Sequence, residues 1–174
     1  MTREKRERFD RLVLPHVAAG YNLARWLLRN EQDAEDAVQT ACLRAFQSLD
    51  GFRGSDGRPW FLTIVRRSCL NIMRQRTPTS SWEDAAEEAV ADERTPDPEQ
   101  FVLRSYEAET VRSAMHRLHP TYREILFLRE LQGLSYKEIS EVIDHPIGTV
   151  MSRLSKARKR LQLALMDAYP EEAL

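Results

Sequence analysis

From His145 to Gln162 every formally charged side chain is a cation: Arg153, Lys156, Arg158, Lys159 and Arg160. Short polar residues, Ser152 and Ser155, lie among them. Lysine and arginine neutralise phosphates, and short side chains let a helix approach base edges closely, so this run suits a nucleic-acid duplex. A second basic block sets Arg53, Arg58, Arg66, Arg67, Arg74 and Arg76 against Asp56 alone. Between the two, residues 77–110 hold many acids, Glu87, Glu88, Asp92 and Glu93 among them, against only Arg94 and Arg104. The formal net charge of −1 therefore hides two basic blocks separated by an acidic one.

Other chemistries find little support. His16, His116, His119 and His145 lack metal-ligand spacing, no glycine-rich segment could cradle phosphates, and no serine, cysteine or carboxylate falls in a catalytic pattern. No enzyme, cofactor or metal is expected. Cys42 and Cys69 lack the paired spacing of a zinc site and are expected to be reduced and structural. With no apolar run near Met1 and no long uncharged stretch, neither secretion nor membrane insertion is expected, which leaves the cytoplasm.

Helices must position these residues. Leu12, Val13, Val17, Tyr21, Ala24, Leu27 and Leu28 recur at spacings of three and four, and Ala34 to Leu49 repeats the pattern through Ala37, Val38, Ala41 and Phe46. After a loop holding Gly51, Gly54 and Gly57, a third helix carries Trp60, Ile64, Leu70 and Met73. Three packed helices make a first domain over residues 1–76. Residues 77–99, with Pro78, Pro96 and Pro98, read as a flexible acidic linker. A second domain, 100–174, resumes helical spacing through Val111, Met115, Leu118, Ile125 and Leu128, and Gly133 ends a helix. The fold class is all-α, with an N-terminal helical bundle and a C-terminal helix-turn-helix.

The helix-turn-helix is written in local chemistry. Ser135 and Glu138 form the S-x-x-E pattern that caps a helix start. Ile139, Val142 and Ile143 face inward, Asp144 suits a left-handed turn, and Pro146 suits the first turn of the next helix. In that helix Val150, Leu154, Ala157 and Leu161 form one stripe, opposite Met151, Ser152, Ser155, Lys156 and Lys159. A solvated helix hairpin in a bundle would share this pattern; the absence of acids favours DNA.

The stretch Leu118–Leu161, through Tyr122-Arg123-Glu124, Leu128-Arg129-Glu130-Leu131, Gly133-Leu134-Ser135-Tyr136 and Pro146-Ile147-Gly148-Thr149-Val150, closely resembles the C-terminal domain of extracytoplasmic-function sigma factors. Asp33-Ala34-Glu35-Asp36-Ala37-Val38-Gln39, Phe52-Arg53-Gly54 and Trp60 resemble the same family's N-terminal domain. The resemblance implies a subunit that binds core RNA polymerase and promoter DNA, with an anti-sigma factor as a further partner. It implies that Asp33, Glu35, Asp36 and Gln39 dock on the polymerase clamp, although Asp33 and Glu35 could simply favour a helix start. It implies minus-ten contacts at Phe52, Arg53, Gly54, Ser55, Asp56, Arg66, Arg67, Asn71 and Arg74, with the Phe52–Gly57 loop taking a flipped base; a plain connecting loop would look similar. It implies minus-thirty-five contacts at Thr149, Met151, Ser152, Arg153, Ser155, Lys156, Arg158 and Lys159, with Arg153 and Arg158 on phosphates or in packing. Trp60 is expected as a core anchor.

This sequence departs from the family's pattern at three places. Arg67 stands where asparagine is common, Asn71 where aspartate is, and Met151 replaces a frequent lysine or arginine, removing a guanine contact. A free-standing helix-turn-helix regulator would not need the Asp33–Gln39 surface, and a sigma-like adaptor binding only an anti-sigma protein would not keep the basic stripe.

Overall fold

Pro15 divides the first helix that the spacing predicts. The computed structural model describes residues 3–76 and 106–168. In it α1 (Arg3–Leu12) gives way to a 3-10 turn at Leu14–His16 before α2 (Val17–Leu28) begins. Proline lacks an N–H and collides with a preceding helical turn, so it sits where a new segment starts. Asn30 then opens α3 (Glu31–Ser48), its side-chain oxygen accepting from the Asp33 N–H at 2.9 Å.

Gly57, expected as a loop residue, is the first residue of α4 (Gly57–Arg76) and is buried. A Cβ there would fall 1.9 Å from the Leu12 carbonyl oxygen, so only glycine lets the end of α1 seat against the start of α4. The Asp56 carboxylate accepts from the Arg58 N–H at 2.9 Å and helps open the helix. Behind it, α2, α3 and α4 pack together. Ala34, Ala37, Ala41 and Ala45 are fully buried, and these small side chains bring α3 close to Leu23, Phe61, Leu62 and Val65.

The second lobe comprises α5 (Tyr106–His116), α6 (Pro120–Leu126), α7 (Tyr136–Ile143) and α8 (Ile147–Ala168). A π-helical turn at Phe127–Leu131, which periodicity did not announce, prolongs α6. Gly133 closes it in the left-handed region at φ 65°, its N–H donating to the Arg129 carbonyl at 3.1 Å. The local reading of α7 holds atom for atom. Ser135 and Glu138 form both bonds of the capping box, and Asp144 takes φ 56° at the other end. Every element among the described residues is helical.

The two lobes pack on each other, α4 against α7 and α2 against α6, and one hydrophobic cluster runs through both. At their junction Arg66 Nε donates to Glu124 Oε1 at 2.5 Å, with only 5% and 1% of the two side chains exposed. Beside it the Trp26 and His116 rings stack at 4.7 Å, and Arg58 donates to the Gln132 carbonyl at 3.0 Å. The acidic linker read at 77–99 lies outside the described residues, as do residues 100–105.

Removing one partner of a buried ion pair leaves the other charge stranded, a loss of about 3–5 kcal/mol. Glu124→Gln is therefore expected to destabilise the chain on that scale in denaturant unfolding. The double variant Arg66→Met/Glu124→Leu should recover most of the loss, and a cycle with no coupling would contradict the buried pair.

Candidate functional site

The first six residues of α8 carry no charge, and its cations begin at Arg153. Val150, Leu154 and Ala157 are buried against α6 and α7, which turns Met151, Ser152, Ser155, Lys156 and Lys159 to solvent, as the stripe predicts. The Ser152 hydroxyl donates to the Thr149 carbonyl at 3.1 Å, and Thr149 itself is half-buried in the first turn. Met151, Ser155, Arg158 and Lys159 border an open groove of about 520 Å³ with Tyr136, which the sequence reading did not place among the DNA-contacting residues. The Arg129 guanidinium lies 5.0 Å from the centre of the Tyr136 ring and steadies it.

Two of the expected DNA-contacting arginines have partners inside the protein. Arg158 Nε and Nη2 both donate to Glu130 Oε1, at 3.0 and 2.7 Å, and this bonding raises the Arg158 pKa above its ordinary value. Arg153 is half-buried, with Nη2 3.2 Å from His145 Nε2. His145 Nδ1 lies 2.7 Å from the Ile143 carbonyl, which can only accept, so Nδ1 carries the proton and Nε2 is left to accept from Arg153. The turn and α8 are thereby tied together.

In the first lobe, Glu35, Asp36 and Gln39 lie exposed on α3, while Asp33 is largely covered by an ion pair with Arg76. Asp33 and Asp36 line a groove of about 680 Å³ together with Asn71 and Arg74 from the end of α4. Residues read as polymerase-docking and residues read as DNA-binding thus share one cleft between α3 and α4, with Arg67 exposed on the same helix.

Arg66 requires a correction. It was expected on the minus-ten surface, but its guanidinium is buried against Glu124 of the second lobe and does not face solvent. Helical periodicity explains this: Arg66 follows the buried Val65 and precedes Ser68 and Cys69, also buried, so it lies on the inner face of α4. The Phe52–Gly57 loop is also more firmly held than its glycines suggested. Phe52 stacks on the half-buried Trp60 at 4.4 Å and 22°, and its carbonyl accepts from Arg8. A Cβ on Gly54 would meet the Phe52 ring at 2.6 Å, so Gly54 gives the ring room rather than slack. Arg53, Gly54, Ser55 and Asp56 remain exposed.

Both cysteines are free thiols. Burial, helped by the Glu124 charge, pushes Cys69 up to about 12, and burial raises Cys42 as well, so neither is primed as a nucleophile. Among the described residues no group of histidine, cysteine and carboxylate side chains could hold a metal ion, and no helix is long and apolar enough to cross a membrane.

Among the described residues, an all-helical architecture with a capped helix-turn-helix, whose second helix carries cations and no acid before Asp167, defines the class of helix-turn-helix proteins. Comparison with known proteins narrows the class. Residues 12–79 match the sigma-70 region 2 family and residues 108–161 the sigma-70 region 4 family. The chain is 33% identical to the RNA polymerase sigma-H factor of Pseudomonas aeruginosa, over 94% of this chain and 89% of that one. It is 34% identical to the ECF RNA polymerase sigma-E factor of Escherichia coli, over 74% and 72%. The sigma factor RpoE of Bartonella quintana, solved in complex with the anti-sigma factor NepR, superposes with a TM-score of 0.69 at 29% identity, covering 88% of this chain and 93% of that one. CnrH, solved with the cytosolic domain of CnrY, gives 0.62 at 25% identity over 92% and 88%. The chain belongs to the extracytoplasmic-function family of RNA polymerase sigma factors.

Two half-buried histidines, His116 stacked on Trp26 of the first lobe and His119 at the start of α6, give the fold a pH dependence. Burial, followed by the charges of Arg29, Arg123, Arg112 and Arg25, lowers His116 to about 4; burial and Arg123 do the same for His119. His119 Nδ1 also accepts from the Thr121 N–H at 3.3 Å, a bond that protonation would remove. Both pKa values are depressed on folding from an ordinary value of 6.5, so the unfolded chain takes up these protons first. Their contribution is complete above pH 6.5 and is lost as pH falls from there towards 4. Melting temperature followed across that range should decline, and His116→Phe, which keeps a ring on Trp26, should decline less steeply. Parallel curves for the two proteins would refute the assignment.

Proposed function

We propose that this sigma factor binds core RNA polymerase through the acidic face of α3 and directs promoter-specific initiation, α8 reading the minus-thirty-five element and the first lobe melting and capturing the minus-ten element. On this reading residues 1–76 serve docking and minus-ten recognition, 77–99 tether, and 100–174 read the duplex. The observation that carries it is the outward stripe of α8, where Ser152, Ser155, Lys156 and Lys159 are exposed together and the stretch from His145 to Gln162 holds no acid. Exposed Glu35, Asp36 and Gln39 suit a basic partner, and tethering two weak DNA contacts gives avidity.

The relatives solved with NepR and with CnrY make an anti-sigma protein a further partner by analogy. Family membership sets the chain among transcription regulators rather than enzymes. A free-standing DNA-binding regulator is disfavoured by the α3 surface, which duplex binding alone would not need.

Run-off transcription with core polymerase tests the proposal. Lys156→Ala and Asp36→Ala are both expected to lower promoter-specific product by roughly tenfold, the worth of one good contact of about 1–3 kcal/mol. Only Asp36→Ala should weaken association with the core enzyme itself. Wild-type activity from both variants would refute the assignment of these two surfaces.

A further inference from the structure

We propose that the leading end of α8 selects thymine, with the Met151 side chain against the C5 methyl group of a thymine in the major groove and Ile147 widening the same apolar contact. This rests on the DNA reading of α8 given above and adds to it which base is read.

The two side chains stand one helical turn apart, with Ile147 45% and Met151 54% exposed, along the flank of the helix that borders the buried stripe of Val150 and Leu154. Met151 borders the open groove beside Ser155, Lys159 and Tyr136. In a major groove an apolar side chain finds one matching group on a base edge, the thymine methyl. Guanine, by contrast, is read chiefly by arginine or lysine reaching O6 and N7 together. The nearby arginines are turned elsewhere: Arg153 is held by His145 and Arg158 by Glu130.

The helix start is therefore apolar at its tip, with Lys156 and Lys159 one to two turns further along. Cations in that position meet phosphates and fix the depth of the helix without selecting a base. The Ser152 hydroxyl, donating to Thr149, keeps lone pairs that can accept from an adenine amino group next to the selected thymine. The preference that follows is for A·T pairs under the first turns of α8.

The test uses holoenzyme assembled from the full chain and core polymerase, with promoter duplexes in which each thymine of the upstream element is replaced in turn by deoxyuridine, which lacks only the methyl. One or two replacements are expected to weaken binding by about fourfold, the worth of one buried methyl. With Met151→Ala that difference should vanish, whereas Lys156→Ala should weaken binding to every duplex and preserve it. Holoenzyme that binds the promoter yet ignores every deoxyuridine, or Met151→Ala protein that still discriminates, overturns the thymine assignment and leaves the DNA reading intact. Wild-type Met151 binding no promoter duplex at all would sink the DNA reading and this inference with it. Unchanged binding and transcription by Met151→Ala would point instead to a protein partner on this apolar tip, and would also overturn the proposal.

Discussion

The buried pair of Arg66 and Glu124 is the constraint around which the two lobes are arranged. Neither side chain reaches solvent, so each charge is tolerable only while the other is in place. The pair therefore imposes a register: α4 must meet α6 at the position that brings these two groups to 2.5 Å. An apolar contact of equal area would allow more sliding, because hydrophobic burial is non-directional. Around this point the Trp26–His116 stack and the Arg58 bond to Gln132 add contacts of fixed geometry, and all three draw on helices α2 and α4 of the first lobe.

One consequence is that cationic composition overstates cationic surface. Of the arginines in the two basic blocks, Arg66 is consumed by Glu124, Arg76 pairs with Asp33, Arg158 with Glu130, and Arg153 leans on His145. The exposed pairs contribute little to stability, since surface ion pairs are commonly worth at most about 1 kcal/mol. Their effect is orientation. By holding Arg158 and Arg153 aside they leave the outer stripe of α8 to Met151, the two serines and the lysines, a face less cationic than the sequence run suggests.

The loop before α4 illustrates the same distinction between residue type and residue role. Three glycines within seven residues invite a reading of flexibility, and backbone freedom is what glycine usually supplies. Here Gly57 is required because a carbonyl presses on it, and Gly54 because the Phe52 ring does. Phe52 in turn stacks on Trp60, which makes that tryptophan part of the packing, as its helical spacing suggested. The loop presents Arg53, Ser55 and Asp56 from a fixed base.

Much of this protein was legible one turn at a time. Caps, turns and apolar stripes are interactions among residues three or four apart, so Ser135 with Glu138, Asp144, Gly133 and the inward stripe of α8 could be read directly, and with them the helical class and the helix-turn-helix. The pairing of Glu124 with Arg66 and of Glu130 with Arg158 joins residues 58 and 28 positions apart, and no local pattern encodes which acid a given arginine will meet. Those partners, the shared cleft of Asp33, Asp36, Asn71 and Arg74, and the seat for Gly57 were decided only when the helices packed. Charge and periodicity are properties of the chain, whereas exposure of a particular charge belongs to the space between elements.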